Sequence, residues 1–307
     1  MKNDYSYPIG TKGQPWGEAE KAAWLATMTV KRSYQEEVVS KIQALAGRFD
    51  VSQYGALSYD KERFPLLSIK TKQWDSNKPT LLVSGGVHGY ETSGVHGALQ
   101  FVETKAEHYS QWFNIVVAPC VSPWGYEVIN RWNPTATDPN RSFYADSPAE
   151  ESAALMALVT SLKTPIFAHI DLHETTDSDE TEFRPALAAR DGLAYIEGYI
   201  PDGFYTVGDT EKPATAFQKA IIDSVRTVTH IAPPDTNNQI IGSDVVQEGV
   251  IEYPTKKLGL CAGLTNADFV STTEVYPDSD KVTSQECNDA QVAAIVGALN
   301  YLFAQTK

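Results

Sequence analysis

The chain has 307 residues, 42% hydrophobic and 21% charged, a balance suited to a globular protein whose core needs no disulfide staples. A net charge of −14 argues against nucleic acid or an anionic membrane as partner, because both select basic surfaces. Three cysteines (Cys120, Cys261 and Cys287) form no CxxC pair, the N-terminus lacks an apolar signal core, and no run of 18 apolar residues occurs, so free thiols, no membrane span and a cytoplasmic location are expected.

Residues 1–17 are polar and rich in Gly and Pro, and read as an arm on the surface. A short helix is expected over 18–29. A second is expected over 33–49, where Val38, Val39, Ile42, Leu45 and Ala46 recur at helical spacing and Ser33 with Glu36 spells a capping box. Strands are expected near 52–57 and 65–70. The apolar run at 80–84 then leads into Gly85-Gly86-Val87-His88-Gly89-Tyr90-Glu91 and a helix over 93–104. Residues 113–119 are apolar almost throughout, as in a strand covered on both faces. No long period marks 121–148, and a loop of that length in a compact domain is usually functional. A helix over 149–162 precedes a strand over 166–172 that ends at His173-Glu174. Residues 176–210 read as turns and short strands, 215–230 as a helix, 231–270 as loops and short strands, 269–275 as a strand and 285–303 as a terminal helix. Strands and helices alternate throughout, which predicts an α/β protein with a mixed, mostly parallel central sheet sandwiched by helices, in a single domain over 1–307.

His88 and Glu91 fall where a strand feeds a helix, the place where open α/β sheets gather ligands. Imidazole and carboxylate both suit zinc, and catalytic zinc usually takes three protein ligands. His173 stands at the end of another apolar strand, and parallel pairing would bring the two strand ends together. His169 lies deeper in that run and reads as structural, His96 as packing or surface, and His108 and His230 as surface residues. Arg131, Asn140 and Arg141 share one loop and form a candidate anion clamp, since arginine matches a carboxylate bidentately. Asp138 is placed to accept the second ring N–H of a ligating histidine. Glu274 is a carboxylate among small, β-branched or apolar neighbours on a late strand, where a charge needs a partner or a task.

Five stretches together resemble the zinc carboxypeptidases, the carboxypeptidase A-like metallopeptidases: HGYE at 88–91, SPWGYEVINR at 122–131, DPNRSF at 138–143, DLHE at 171–174 and TTEVY at 272–276. The resemblance runs from about residue 33 to the C-terminus. It implies one zinc per chain held by His88, Glu91 and His173, with Asp138 behind His88. It implies that Arg131 stabilises the oxyanion, that Asn140 and Arg141 hold a substrate's terminal carboxylate, and that Glu274 is the general base. Ser122 departs from the asparagine common in the family. Tyr253 is a candidate for the family's substrate-closing tyrosine, and Glu252 is a rival to Glu274 as base. The segment 255–269, which mixes Lys256, Lys257 and Asp268 with apolar residues, would line the specificity pocket. The implied activity is zinc-dependent removal of the C-terminal residue from peptides. The alternatives are a zinc deacylase acting on N-acyl amino acids on the same scaffold, or a non-catalytic zinc- or peptide-binding protein. The expected partner is a small substrate with a free C-terminal carboxylate.

Overall fold

The computed structural model describes residues 7–305. Its strands are β1 (Asp50–Ala56), β2 (Pro65–Lys70), β3 (Thr80–Gly85), β4 (Asn114–Ala118), β5 (Ile166–Glu174), β6 (Tyr205–Asp209), β7 (Gln239–Ile240), β8 (Ser243–Asp244), β9 (Val250–Tyr253) and β10 (Phe269–Val275). Its α-helices are α1 (Glu18–Leu25), α2 (Ser40–Ala44), α3 (Thr92–Phe101), α4 (Glu107–Tyr109), α5 (Pro123–Val128), α6 (Glu150–Ser161), α7 (Arg184–Arg190), α8 (Thr215–Val225) and α9 (Ser284–Gln305). Eight strands form one sheet in the order β1-β2-β4-β3-β5-β10-β6-β9, while β7 and β8 pair with each other. The sheet is mixed. The run β4-β3-β5-β10 is parallel, β6 lies antiparallel to β10, and β1 and β2 close one edge as an antiparallel pair.

Strand periodicity decides which side chains meet. Leu81 and Val83 of β3, Ile115 and Val117 of β4, and Ala168, Ile170 and Leu172 of β5 face a core completed by Val95, Leu99, Ile221, Val225, Ile295 and Leu299 from α3, α8 and α9. Leu82, Val116 and Val270 face the other way, towards Leu155 and Leu158 of α6. On β5 the same alternation gathers His169, Asp171 and His173 on the face opposite Ala168, Ile170 and Leu172. The chain leaves β3 for β4 on one side and returns to β5 on the other. A crevice therefore opens at the carboxyl ends of β3 and β5, as it does at the switch point of doubly wound sheets.

Several local expectations are revised. Of the proposed arm, residues 1–6 lie outside the described residues; 7–17 contain no helix or strand and end on the buried Trp16. Ser33 does accept the Glu36 N–H, but Glu37, not Glu36, reaches back to the Ser33 N–H. The helix opens there as a π-helical turn, Gln35–Val39, which moves the returning carboxylate on by one residue. Residues 176–210 are not simply turns and short strands. A π-helical turn, Asp179–Phe183, runs into α7, and Pro185 sits in the first turn of α7, where its missing N–H costs nothing.

Candidate active site

His88 and Glu91 sit on the turn between β3 and α3. Gly86 takes a left-handed φ of 59°, and a Cβ on Gly89 would collide with the backbone of Gly125 and Tyr126, so the loop needs glycine at both positions. Arg32 clamps this loop from outside, donating to the Gly89 carbonyl (2.9 Å), the Thr92 hydroxyl (2.7 Å) and the Tyr126 carbonyl (2.6 Å). Glu174 accepts from the N–H groups of Thr92 and Ser93 and so caps α3 from the neighbouring strand; burial raises its carboxyl to about 7. Parallel pairing of β3 with β5 brings His173 to the same crevice.

The donor atoms of His88, Glu91 and His173, all buried, lie within 4.8 Å of one another. His88 Nδ1 is 2.7 Å from Glu91 Oε1, and His173 Nδ1 is 2.7 Å from Glu91 Oε2. The far nitrogens are held by carboxylates: His88 Nε2 lies 2.9 Å from Asp138 and His173 Nε2 lies 2.8 Å from Asp171. Each ring is thereby oriented with Nδ1 towards Glu91, the arrangement in which a carboxylate fixes a ligating histidine. Glu91 is fully buried, and its Oε2 meets His173 Nδ1 as an ion-pair contact without hydrogen-bond alignment. Burial alone would raise the Glu91 carboxyl, but the two imidazoles hold it at about 2; burial would lower His173, yet Glu91 and Asp171 hold it well above its ordinary value. Two imidazole nitrogens and a carboxylate turned towards one another would suit a divalent metal that displaces the imidazole proton, and zinc accepts such a set readily.

A second buried group, His169, Asp171 and Cys261, also brings its donor atoms together. The Ser84 hydroxyl occupies its middle, 2.8 Å from His169 Nε2, 2.6 Å from Asp171 Oδ1 and 3.4 Å from Cys261 Sγ. This group therefore reads as a hydrogen-bonded network behind His173 and leaves no room for an ion.

The remaining site residues surround a cavity of about 840 Å³. Glu274 stands beside His173 in the parallel register of β10 with β5, and burial raises its carboxyl to about 8. Arg131 donates through Nε to Asp138 (3.1 Å) and through Nη1 to Asp179 (3.2 Å), which leaves Nη2 without a partner among the described residues. Burial would weaken its hold on the proton, but Asp138, Tyr90 and Asp179 keep it firmly charged. Asn140 spends its carbonyl oxygen on the Cys261 N–H (2.7 Å), and its amide nitrogen, 3.4 Å from His173 Nε2, has one further N–H to offer. Arg141 is exposed on the cavity wall and has no carboxylate in salt-bridge contact among the described residues. Tyr253, the last residue of the edge strand β9, also lines the cavity, whereas its neighbour Glu252 does not. The expected specificity segment 255–269 contributes only Leu260 to the lining. Lys256 reaches Asn266, and Asp268 pairs with Lys212. Tyr205, Val207 and Thr272, brought together by the register of β6 with β10, line the cavity instead, with Ile241 from the turn between β7 and β8. Reasoning from sequence missed Asp171, Thr175, Asp179 and Tyr205 as members of the site. The first of these was visible as the acid two residues before a strand-end histidine; the others carry no local signal.

Residues 77–195 match the succinylglutamate desuccinylase/aspartoacylase catalytic domain. None of the curated proteins matches the chain in sequence. Among solved structures, a protein from Shewanella amazonensis SB2B, provisionally assigned as a metallopeptidase, superposes with a TM-score of 0.65 at 19% identity, over 90% of this chain and 99% of the other. A metallo-carboxypeptidase from Burkholderia cenocepacia superposes at 0.58 with 13% identity, over 94% and 70%. Carboxypeptidase A from Helicoverpa armigera superposes at 0.54 with 11% identity, over 94% and 74%.

Proposed function

For a chain that has the zinc carboxypeptidase-like fold, we propose hydrolysis of the amide bond next to a free terminal carboxylate, with peptides as substrates and one zinc ion per chain. The observation that carries this reading is the placement of Arg141, a cation without a carboxylate partner, in the same cavity as the His88/Glu91/His173 cluster and Glu274. When bound by those three residues, zinc would supply Lewis acidity and lower the pKa of a water.

The chain's own residues account for the rest. Arg141, with the Asn140 amide nitrogen, holds the substrate carboxylate and fixes which amide bond is presented. Glu274 takes a proton from the attacking water and returns it to the leaving amine, and burial, which raises its carboxyl, strengthens it as a base. Arg131, held by Asp138 and Asp179, turns its Nη2 to the developing oxyanion. A preorganised donor of that kind is worth roughly 3–4 kcal/mol. The cavity that holds Arg141 is also lined by the uncharged Tyr205, Val207, Ile241, Tyr253, Leu260 and Thr272, and by the charged Lys21, Arg184, Arg190 and Asp191. A side chain set against the uncharged residues would lose its hydration without compensation if it were charged, so uncharged C-terminal residues are expected to be preferred.

A second reading, deacylation of N-acyl amino acids, is supported by the family match over 77–195. The test is a comparison of kcat/KM for N-blocked dipeptides ending in Phe, Leu, Lys or Asp with that for N-acetyl and N-succinyl amino acids. Peptide cleavage with Phe and Leu preferred is expected. Turnover confined to the acyl amino acids would establish the deacylase instead.

A further inference from the structure

We propose that the hydroxyl groups of Tyr205 and Thr175 position Glu274, fixing its Oε2 so that Oε1 is the oxygen that exchanges the proton. The inference rests on Glu274 as the base. Three adjoining strands supply the groups: Glu274 from β10, Tyr205 from the antiparallel neighbour β6, and Thr175 from the residue that follows β5. Tyr205 pairs directly with Glu274 across the ladder. The Tyr205 Oη lies 2.7 Å from Thr175 Oγ1, and Thr175 Oγ1 donates to Glu274 Oε2 at 2.9 Å.

The direction of this chain follows from counting protons. Thr175 has one hydroxyl proton, and the carboxylate takes it. The short contact to Tyr205 must then be a donation from the phenol. Tyr205 is 1% exposed and burial holds its proton firmly, so it remains a donor throughout the working pH range. The Thr175 backbone is pinned as well, its N–H donating to the Val275 carbonyl at 2.9 Å. The hydroxyl is therefore fixed relative to the strand that carries Glu274. Among the described residues, Oε1 receives no hydrogen bond. Without the two hydroxyls the carboxylate would be free to rotate about its terminal torsion, which is broad and roughly two-fold.

The test uses the zinc-loaded full-length protein and an N-benzoyl dipeptide ending in phenylalanine. Thr175→Val keeps the shape and removes the donor, and should lower kcat about 10–100-fold, the worth of a hydrogen bond to a charged group. KM and zinc content should stay within about twofold of the parent, because the substrate-holding and metal-holding groups are untouched. Thr175→Ser should restore most of kcat. Tyr205→Phe should cost less than Thr175→Val, and the double variant Thr175→Val/Tyr205→Phe should be no slower than Thr175→Val alone, since the phenol acts only through the threonine. The proposal is overturned if Thr175→Val keeps the parent kcat, if Thr175→Ser is as slow as Thr175→Val, if the two losses multiply, or if zinc is lost. Glu274→Gln separates the two levels. Activity retained in that variant removes the base itself, whereas an inactive Glu274→Gln beside a fully active Thr175→Val removes only the positioning chain.

Discussion

Glu91 lies fully buried between two imidazoles, one against each of its oxygens, and each imidazole is backed by a further carboxylate. Such a buried stack of carboxylates and imidazoles orients the ring nitrogens inward and is costly to disturb. Glu274 stands apart from it, next to His173 in register but tied to Thr175, which suits a residue that moves protons rather than holds a metal. Glu274→Gln is expected to lower kcat by about 10²–10⁴-fold, the usual worth of a general base, while elemental analysis finds the metal unchanged. Loss of metal in that variant would instead make Glu274 a ligand.

The elements carry charges whose cost depends on pH. Glu151, in the first turn of α6, is 1% exposed, and burial raises its carboxyl to about 7 despite a hydrogen bond from Asn133. The folded protein thus binds this proton more tightly than the unfolded chain does, so stability falls as pH rises from about 4.5 to about 7 and stays reduced above that. Glu151→Gln should therefore raise stability by on the order of 2 kcal/mol at pH 8 and by little at pH 4.5. Thermal melts of both proteins at the two pH values measure this. An equal effect at both would mean that the gain has another origin. At the same scale, β5 is the element that joins fold to site, with Ala168, Ile170 and Leu172 in the core and Asp171 and His173 at the crevice.

Across the whole molecule the His88/Glu91/His173 cluster ties the β3–α3 loop to the end of β5, and Gln291 of α9 locks that junction by donating to the His173 carbonyl at 2.9 Å. A ligand that binds only the folded state stabilises it by mass action, by about 4 kcal/mol at a thousandfold excess over its dissociation constant. Chelation should lower the melting temperature by several degrees, and zinc should restore it together with activity. A melt indifferent to chelator would contradict the ligand set.

The alternation of apolar runs with amphipathic stretches determined the element order, because side-chain periodicity is local: β2 and β10 coincide with their expected spans, and α3, α6, α8 and α9 lie where helices were read. The motifs at 88–91, 138–143 and 171–174 likewise pointed to residues that the fold does bring together. The partners that act across strands could not be read in this way. Tyr205 precedes Glu274 by 69 residues and meets it through the register of β6 on β10, which depends on how the whole sheet assembles. For the same reason the cavity lining draws Val207 and Thr272 from paired strands and only Leu260 from the segment 255–269. Only the tertiary structure decided which uncharged side chains share the cavity with Arg141, since burial at a strand end is set by neighbours distant in sequence.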